Sequence, residues 1–216
     1  MKYDILYEQL MSGLLFEEKL GYIALMPGGF KPPHKGHFEL VKAYAEDPAV
    51  NRVKIMLGPT TRTSTDKSLT ISNKISKNIW EEYMRHLPDK IDLVEVQNPY
   101  TAAYEYIQDD AVEGDTIVFV ASIKEKSDAE RSEKFAVAHS PETGKYHKPG
   151  VNVLHYPKDA VAVYDGRGDK EDGKPISATV MRDDAAANNI DMLKTSLPDE
   201  VRDRVQEIRN IMTSGL

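Results

Sequence analysis

The 216-residue chain is predicted to fold as a single α/β domain, a parallel sheet covered by helices on both faces. Short apolar runs at residues 22–26, 53–57, 91–96, 116–120 and 151–154 alternate with stretches whose apolar residues recur at helical spacing. No long linker divides the chain, and its length suffices for one substantial core. In sheets of this kind ligands bind at the carboxyl ends of the strands, where the strand order reverses.

Composition narrows the function classes. A net charge of -7 argues against a nucleic-acid partner, because nonspecific binding to nucleic acid needs a basic surface. The absence of cysteine excludes disulfides, thiolate zinc sites and cysteine nucleophiles, and fits a reducing compartment, so a cytoplasmic location is expected. No apolar run approaches the roughly 20 residues of a membrane helix, so no membrane partner is expected. Glu8, Gln9, Glu17 and Glu18 interrupt any signal-like apolar stretch.

Residues 1–19 are predicted to form an N-terminal helical extension. Ile5, Leu6, Leu10, Met11, Leu14 and Leu15 fall at helical spacing there, on the domain or on a partner. The main domain, residues 20–216, opens with the first strand and with the twelve residues Met26-Pro27-Gly28-Gly29-Phe30-Lys31-Pro32-Pro33-His34-Lys35-Gly36-His37. They join that strand to an amphipathic helix starting near Lys35, with Phe38, Leu40, Val41 and Tyr44 inward and its end before Pro48. A strand-to-helix turn of this kind suits phosphate. Gly28 and Gly29 can adopt backbone angles closed to other residues, and the first helical turn offers unpaired N–H donors. His34 and His37, three apart, share a face if the helix has begun by His34, and each can donate a ring N–H to a phosphate oxygen.

Gly58-Pro59 ends the second strand. The Thr- and Ser-rich loop after it carries Arg62, Lys67, Lys74 and Lys77 in or just beyond it, a reasonable place for a second phosphate-bearing substrate or a merely solvated surface. Ile71, Ile75, Ile79, Trp80, Tyr83 and Met84 mark a long helix ending near Pro88. Asn98-Pro99 opens another, with Tyr100, Ala103, Tyr104 and Ile107 inward, and Ser127 with Glu130 forms a capping box for the next. Residues 138–150 and 164–175 read as loops, residues 160–164 as a short extra strand. Asp165, Asp169 and Asp172 lack the spacing of a calcium-binding hand. In Pro175-Ile176-Ser177-Ala178-Thr179-Val180-Met181-Arg182, Ser177 suits a helix N-cap, Thr179 adds a hydroxyl, and Arg182 can offer a planar fork to phosphate. A last helix from Pro198 packs through Val201, Val205, Ile208 and Met212.

Gly28-x-Phe30-x-Pro32-x-His34-x-Gly36-His37 resembles the H-x-G-H signature of the nucleotidyltransferase superfamily, the cytidylyltransferase-like group that includes nicotinamide mononucleotide adenylyltransferases. Ile176-Ser177-Ala178-Thr179 through Arg182 is similar to the Ile-Ser-Ser-Thr-x-x-Arg motif of the adenylyltransferase branch, with Ala178 replacing a hydroxyl residue. The resemblance covers residues 20 to 190 in layout and these two motifs in detail, and implies a Rossmann-like, doubly wound sheet. It implies transfer of AMP from ATP to a phosphorylated acceptor such as nicotinamide mononucleotide, with release of pyrophosphate. On that footing His34, His37 and Arg182 are the catalytic candidates. Gly28, Gly29 and Phe30 supply backbone contacts, and Ser177, Thr179 and Arg182 hold the leaving phosphates. Mg2+ is expected, bound mainly through substrate phosphates and water.

The Arg-Thr-Glu-Gly-Ile-Ser-Thr segment of cytidylyltransferases is missing, which favours ATP over CTP, and the Lys-Met-Ser-Lys-Ser motif of related aminoacyl-tRNA synthetases is absent too. Ala121-Ser122-Ile123-Lys124 stands where many nicotinamide mononucleotide enzymes carry Gly-x-Asp, which leaves the acceptor open. The alternatives are a cytidylyltransferase or an adenylyltransferase for another acceptor, and a noncatalytic nucleotide-binding or assembly module of the same fold. Homo-oligomerisation also stays open.

Overall fold

Alternating side chains along the first strand divide the protein into two cores. In β1 (Tyr22–Gly28) Ala24 and Met26 point to one face of the sheet, Ile23 and Leu25 to the other, and all four are buried. A strand apolar on both faces can lie only inside a sheet with helices on either side. The computed structural model describes residues 21–120, 126–154 and 176–214, with side chains from residue 130 onward in the helix that begins at 126. The expected N-terminal helix, the extra strand at 160–164, Asp165, Asp169 and Asp172, and Ala121-Ser122-Ile123-Lys124 lie outside the described residues.

Around β1 the sheet is completed by β2 (Val50–Leu57), β5 (Ile91–Glu95), β6 (Thr116–Phe119) and β7 (Asn152–Leu154). All pairs are parallel, in the order β5-β2-β1-β6-β7. This is the expected doubly wound, Rossmann-like α/β fold. The chain moves outward from β1 to β5, then returns to the other side of β1 with β6. The reversal opens a crevice at the carboxyl ends of β1 and β6.

Helix α1 (Lys35–Glu46) and α2 (Asn73–Met84) bury Phe38, Leu40, Val41 and Tyr44, and Ile75, Ile79, Trp80 and Tyr83, in the larger core. Helix α3 (Pro99–Glu105), continued by a π-helical turn (Tyr106–Asp110), and α4 (Lys126–Ala138) cover the opposite face through Ala103, Ile107 and Phe135. The C-terminal part packs on the larger core: α5 (Ala178–Ala186), α6 (Ile190–Thr195), a 3-10 turn (Asp199–Arg204) and α7 (Val205–Thr213). Val201, Val205, Ile208 and Met212 are buried as expected, although the first turn is 3-10.

Local expectations failed at four places. The loop after β2 contains a small antiparallel hairpin, β3 (Arg62–Thr63) and β4 (Thr70–Ile71), so Ile71 is buried from a strand and α2 starts only after Ser72. Tyr100 is 41% exposed rather than inward. Lys126 is already helical, so Ser127 lies within α4 and does not cap it. Helix α6, between α5 and the C-terminal turn, is too short to leave a periodic signal.

Candidate functional site

The turn after β1 is held by more than its glycines. Neither Gly28 nor Gly29 has a positive φ; Phe30 takes it instead, at 47°. A side chain in that region is strained and persists only where packing enforces it. Here the Phe30 ring is buried edge-on against His37 (centroids 5.0 Å) and Trp80 (5.6 Å). Gly28 is required for space: a Cβ there would lie 2.5 Å from the Phe30 ring, whereas one on Gly29 would meet only Thr60 at 3.5 Å. The Gly58 N–H donates to the Gly28 carbonyl at 3.0 Å, tying the ends of β1 and β2.

His34 is the N-cap of α1 and His37 its third residue, and the two make a reciprocal cap. The Gly36 N–H donates to His34 Nδ1 at 3.1 Å, and the His34 N–H to His37 Nδ1 at 3.3 Å. Their rings stack with centroids 3.8 Å apart. An Nδ1 that accepts a backbone N–H carries no proton, which puts the proton of each neutral ring on Nε2. The first-turn amides are already engaged: Lys35 N–H donates to the Ser196 carbonyl (2.9 Å) and His37 N–H to the His34 carbonyl (2.9 Å). The expectation of unpaired helix N–H donors is therefore corrected. Each Nδ1 accepts a backbone N–H at the helix start, and each neutral ring keeps its N–H on Nε2.

The second motif reaches the same place. Ser177 caps α5, its Oγ accepting from the Val180 N–H at 3.2 Å. Arg182 is 6% exposed. Its Nε donates to the Thr63 carbonyl (2.8 Å), Nη1 to the Lys31 carbonyl, and Nη2 to Thr179 Oγ1 (3.0 Å). Three of the five guanidinium N–H donors are thus turned onto oxygens of the first motif, of the hairpin and of Thr179, and the residue also lines the cavity between the motifs. Burial, with Arg62 close by, holds the Arg182 pKa below its ordinary value. Asp183 fastens the hairpin from the same helix by accepting from Thr65 N–H and Oγ1, both at 2.7 Å.

Gly29, Phe30, Lys31, His34, His37, Thr60, Arg62, Ser177, Thr179 and Arg182 line one open cavity of about 330 Å³. The two motifs, some 140 residues apart, are brought together. Of the cationic loop residues, Arg62 lines this cavity, while Lys77 pairs with Glu95 at 3.1 Å; Lys67 and Lys74 are not in the lining. Beside it lies a second cavity of about 180 Å³, at the crevice between β1 and β6, which shares Gly29, Phe30 and His37 with the first and includes Gly28. Its outer wall was not foreseen. Tyr100 stacks on Phe119 (6.1 Å, 22°), and Arg131 donates to the Tyr100 hydroxyl at 3.2 Å with its guanidinium 5.7 Å from the ring. The exposed aromatic at the start of α3 was the available signal, hidden by a helical pattern that placed Tyr100 inward.

Among the described residues no group of three or more His, Asp or Glu is placed to hold a metal ion, and no helix is long and apolar enough to cross a membrane. No protein-family model matches the chain, and no curated protein matches it.

Proposed function

We propose that the protein is a nucleotidyltransferase of the H-x-G-H superfamily, moving AMP from ATP to a phosphorylated small-molecule acceptor with release of pyrophosphate. One observation carries the reading: the stacked His34 and His37 pair and the Ser177 to Arg182 segment line a single cavity, and His37 also lines the neighbouring crevice. A triphosphate in the first cavity would present its α-phosphorus to an acceptor in the second.

The chemistry asks little of the protein beyond alignment and charge stabilisation. An acceptor phosphate oxygen bonds to the α-phosphorus as the bond to the bridging oxygen breaks, and the electron pair leaves with pyrophosphate. Nε2–H of His34 and His37 donates to the phosphoryl oxygens on which charge builds. Arg182 acts at one remove, holding the Lys31 carbonyl and so the turn on which both imidazoles depend. Tyr100 offers a stacking face and Arg131 a cation to an acceptor that joins a planar ring to a phosphate. Mg2+ would arrive with the triphosphate, bound mainly through substrate phosphates and water.

Pyrophosphate release measured over a panel of nucleoside triphosphates and phosphorylated acceptors, nicotinamide mononucleotide included, tests the reading. ATP-dependent release with one acceptor class is expected. CTP-dependent release would move the protein to the cytidylyltransferase branch. ATP binding without release for any acceptor would leave a noncatalytic nucleotide-binding module.

A further inference from the structure

Lys31 occupies an x position of the signature, where the resemblance assigns no role, yet its side chain is 3% exposed. Nζ donates to the Gly29 carbonyl (2.7 Å), the Gly58 carbonyl (3.0 Å) and Asn73 Oδ1 (3.0 Å). All three ammonium protons thus go to neutral oxygens, and among the described residues Lys31 makes no ion pair. These bonds gather the ends of β1 and β2 and the start of α2 at one point. The carbonyl of the same residue takes Nη1 of Arg182, so both walls of the cavity meet at Lys31.

The opposite charge that reaches it is shared with other donors. From β5 Glu95 faces it, but that carboxylate already accepts from Asn73 Nδ2 and from Lys77 of α2. From α5 come Arg182 and Asp183, the latter occupied by Thr65; from β3 comes Arg62; from α1 come His34 and His37. Lys31 is thus a buried cation held by neutral oxygens, with Glu95 as an opposite charge that it shares with Lys77 and Asn73, so it is only partly neutralised in the free protein. Burial lowers its pKa to about 8, Glu95 opposing the shift.

We propose that Lys31 is a positioning residue of the polyphosphate cavity, a buried and only partly neutralised cation to which the bound anion adds counter-charge, so that anion binding draws a proton onto its amine. The inference rests on the proposed function, because it takes a polyphosphate as the ligand. Linkage sets the sign. A group whose charged form the ligand favours gains protons when the ligand binds, at any pH between its free and its bound pKa. The protonated amine makes three hydrogen bonds where the neutral amine can donate only two, so ligand binding also tightens the joint between β1 and β2.

The test is calorimetric titration of the full chain with ATP at pH 8.5 in buffers of different ionisation enthalpy, with inorganic tripolyphosphate titrated separately for binding alone, because that anion itself exchanges protons near this pH. Uptake of roughly half a proton or more per ATP is expected. The Lys31→Arg variant should bind without that uptake, because guanidinium stays charged. Lys31→Met should bind about 10-fold or more weakly. Lysine 13Cε resonances give a check that needs no variant: one titrating near pH 8 in the free protein should move up by about one pH unit or more with ATP bound. ATP binding with no proton uptake, uptake that persists in Lys31→Arg, or the absence of a lysine titrating below its ordinary range overturns the inference and leaves the proposed function standing. Failure of ATP and tripolyphosphate to bind at millimolar concentration removes the reading of the cavity, and this inference with it.

Discussion

Two helix N-termini face the cavity, and they are built differently. At α1 the cap is an imidazole, the first-turn amides are engaged by His34 and Ser196, and the outward donors are ring N–H groups. At α5 the cap is the Ser177 hydroxyl, and the charged residue one turn on, Arg182, is buried with its donors on Lys31, Thr63 and Thr179. Under the proposed function the first terminus meets the ligand through its side chains. The second is arranged to hold the first in place. Two segments that each open a helix at the same cavity are therefore built in different ways, one around an imidazole pair and the other around a serine cap with a buried arginine.

The largest expected effect separates these roles at His34. His34→Ala should lower pyrophosphate release by about 100-fold or more and destabilise the fold by about 1 kcal/mol through loss of the cap. His34→Ser should restore the stability, since serine caps well, and leave turnover low. Turnover recovering with the cap would make His34 a capping residue alone.

Arg182→Met sharpens the comparison from the other side. It should destabilise the protein by roughly 2–4 kcal/mol, because buried carbonyls and Thr179 lose their donor. Urea denaturation measures this directly. Unchanged stability with weakened ATP binding would instead show Arg182 reaching the ligand.

Next in size is the contrast between adjacent glycines. Gly28→Ala should cost about 1–3 kcal/mol and perturb the fluorescence of Trp80, the sole tryptophan, through the displaced Phe30 ring. Gly29→Ala should stay within about 0.5 kcal/mol. Equal effects would mean that the turn needs glycine for its backbone rather than for the Phe30 ring.

Much of the fold was legible because its signals are local and periodic. A strand buried on both faces is a continuous apolar run, as at residues 22–26 and 116–120, and α1 and α2 show one apolar stripe each. The hairpin of β3 and β4 escaped, since two residues per strand carry no period and depend on Arg182 and Asp183 of α5 for their place. Tyr100 was misplaced for a related reason. Its spacing fits an inward face, but α3 begins at the crevice, where Phe119 and Arg131 receive the ring.

The order of residues alone determined the parallel sheet, the turn after its first strand and the starts of the helices at His34 and Ser177, because chain connectivity and side-chain period act over a few residues at a time. Tertiary structure decided how those segments are used. Only folding brings Arg182 within reach of the Lys31 carbonyl, turns the Lys31 amine inward to Gly29, Gly58 and Asn73, and leaves Tyr100 at the crevice. Those contacts join residues far apart in the chain, and their direction follows from which hydrogen-bonding groups burial leaves to be satisfied.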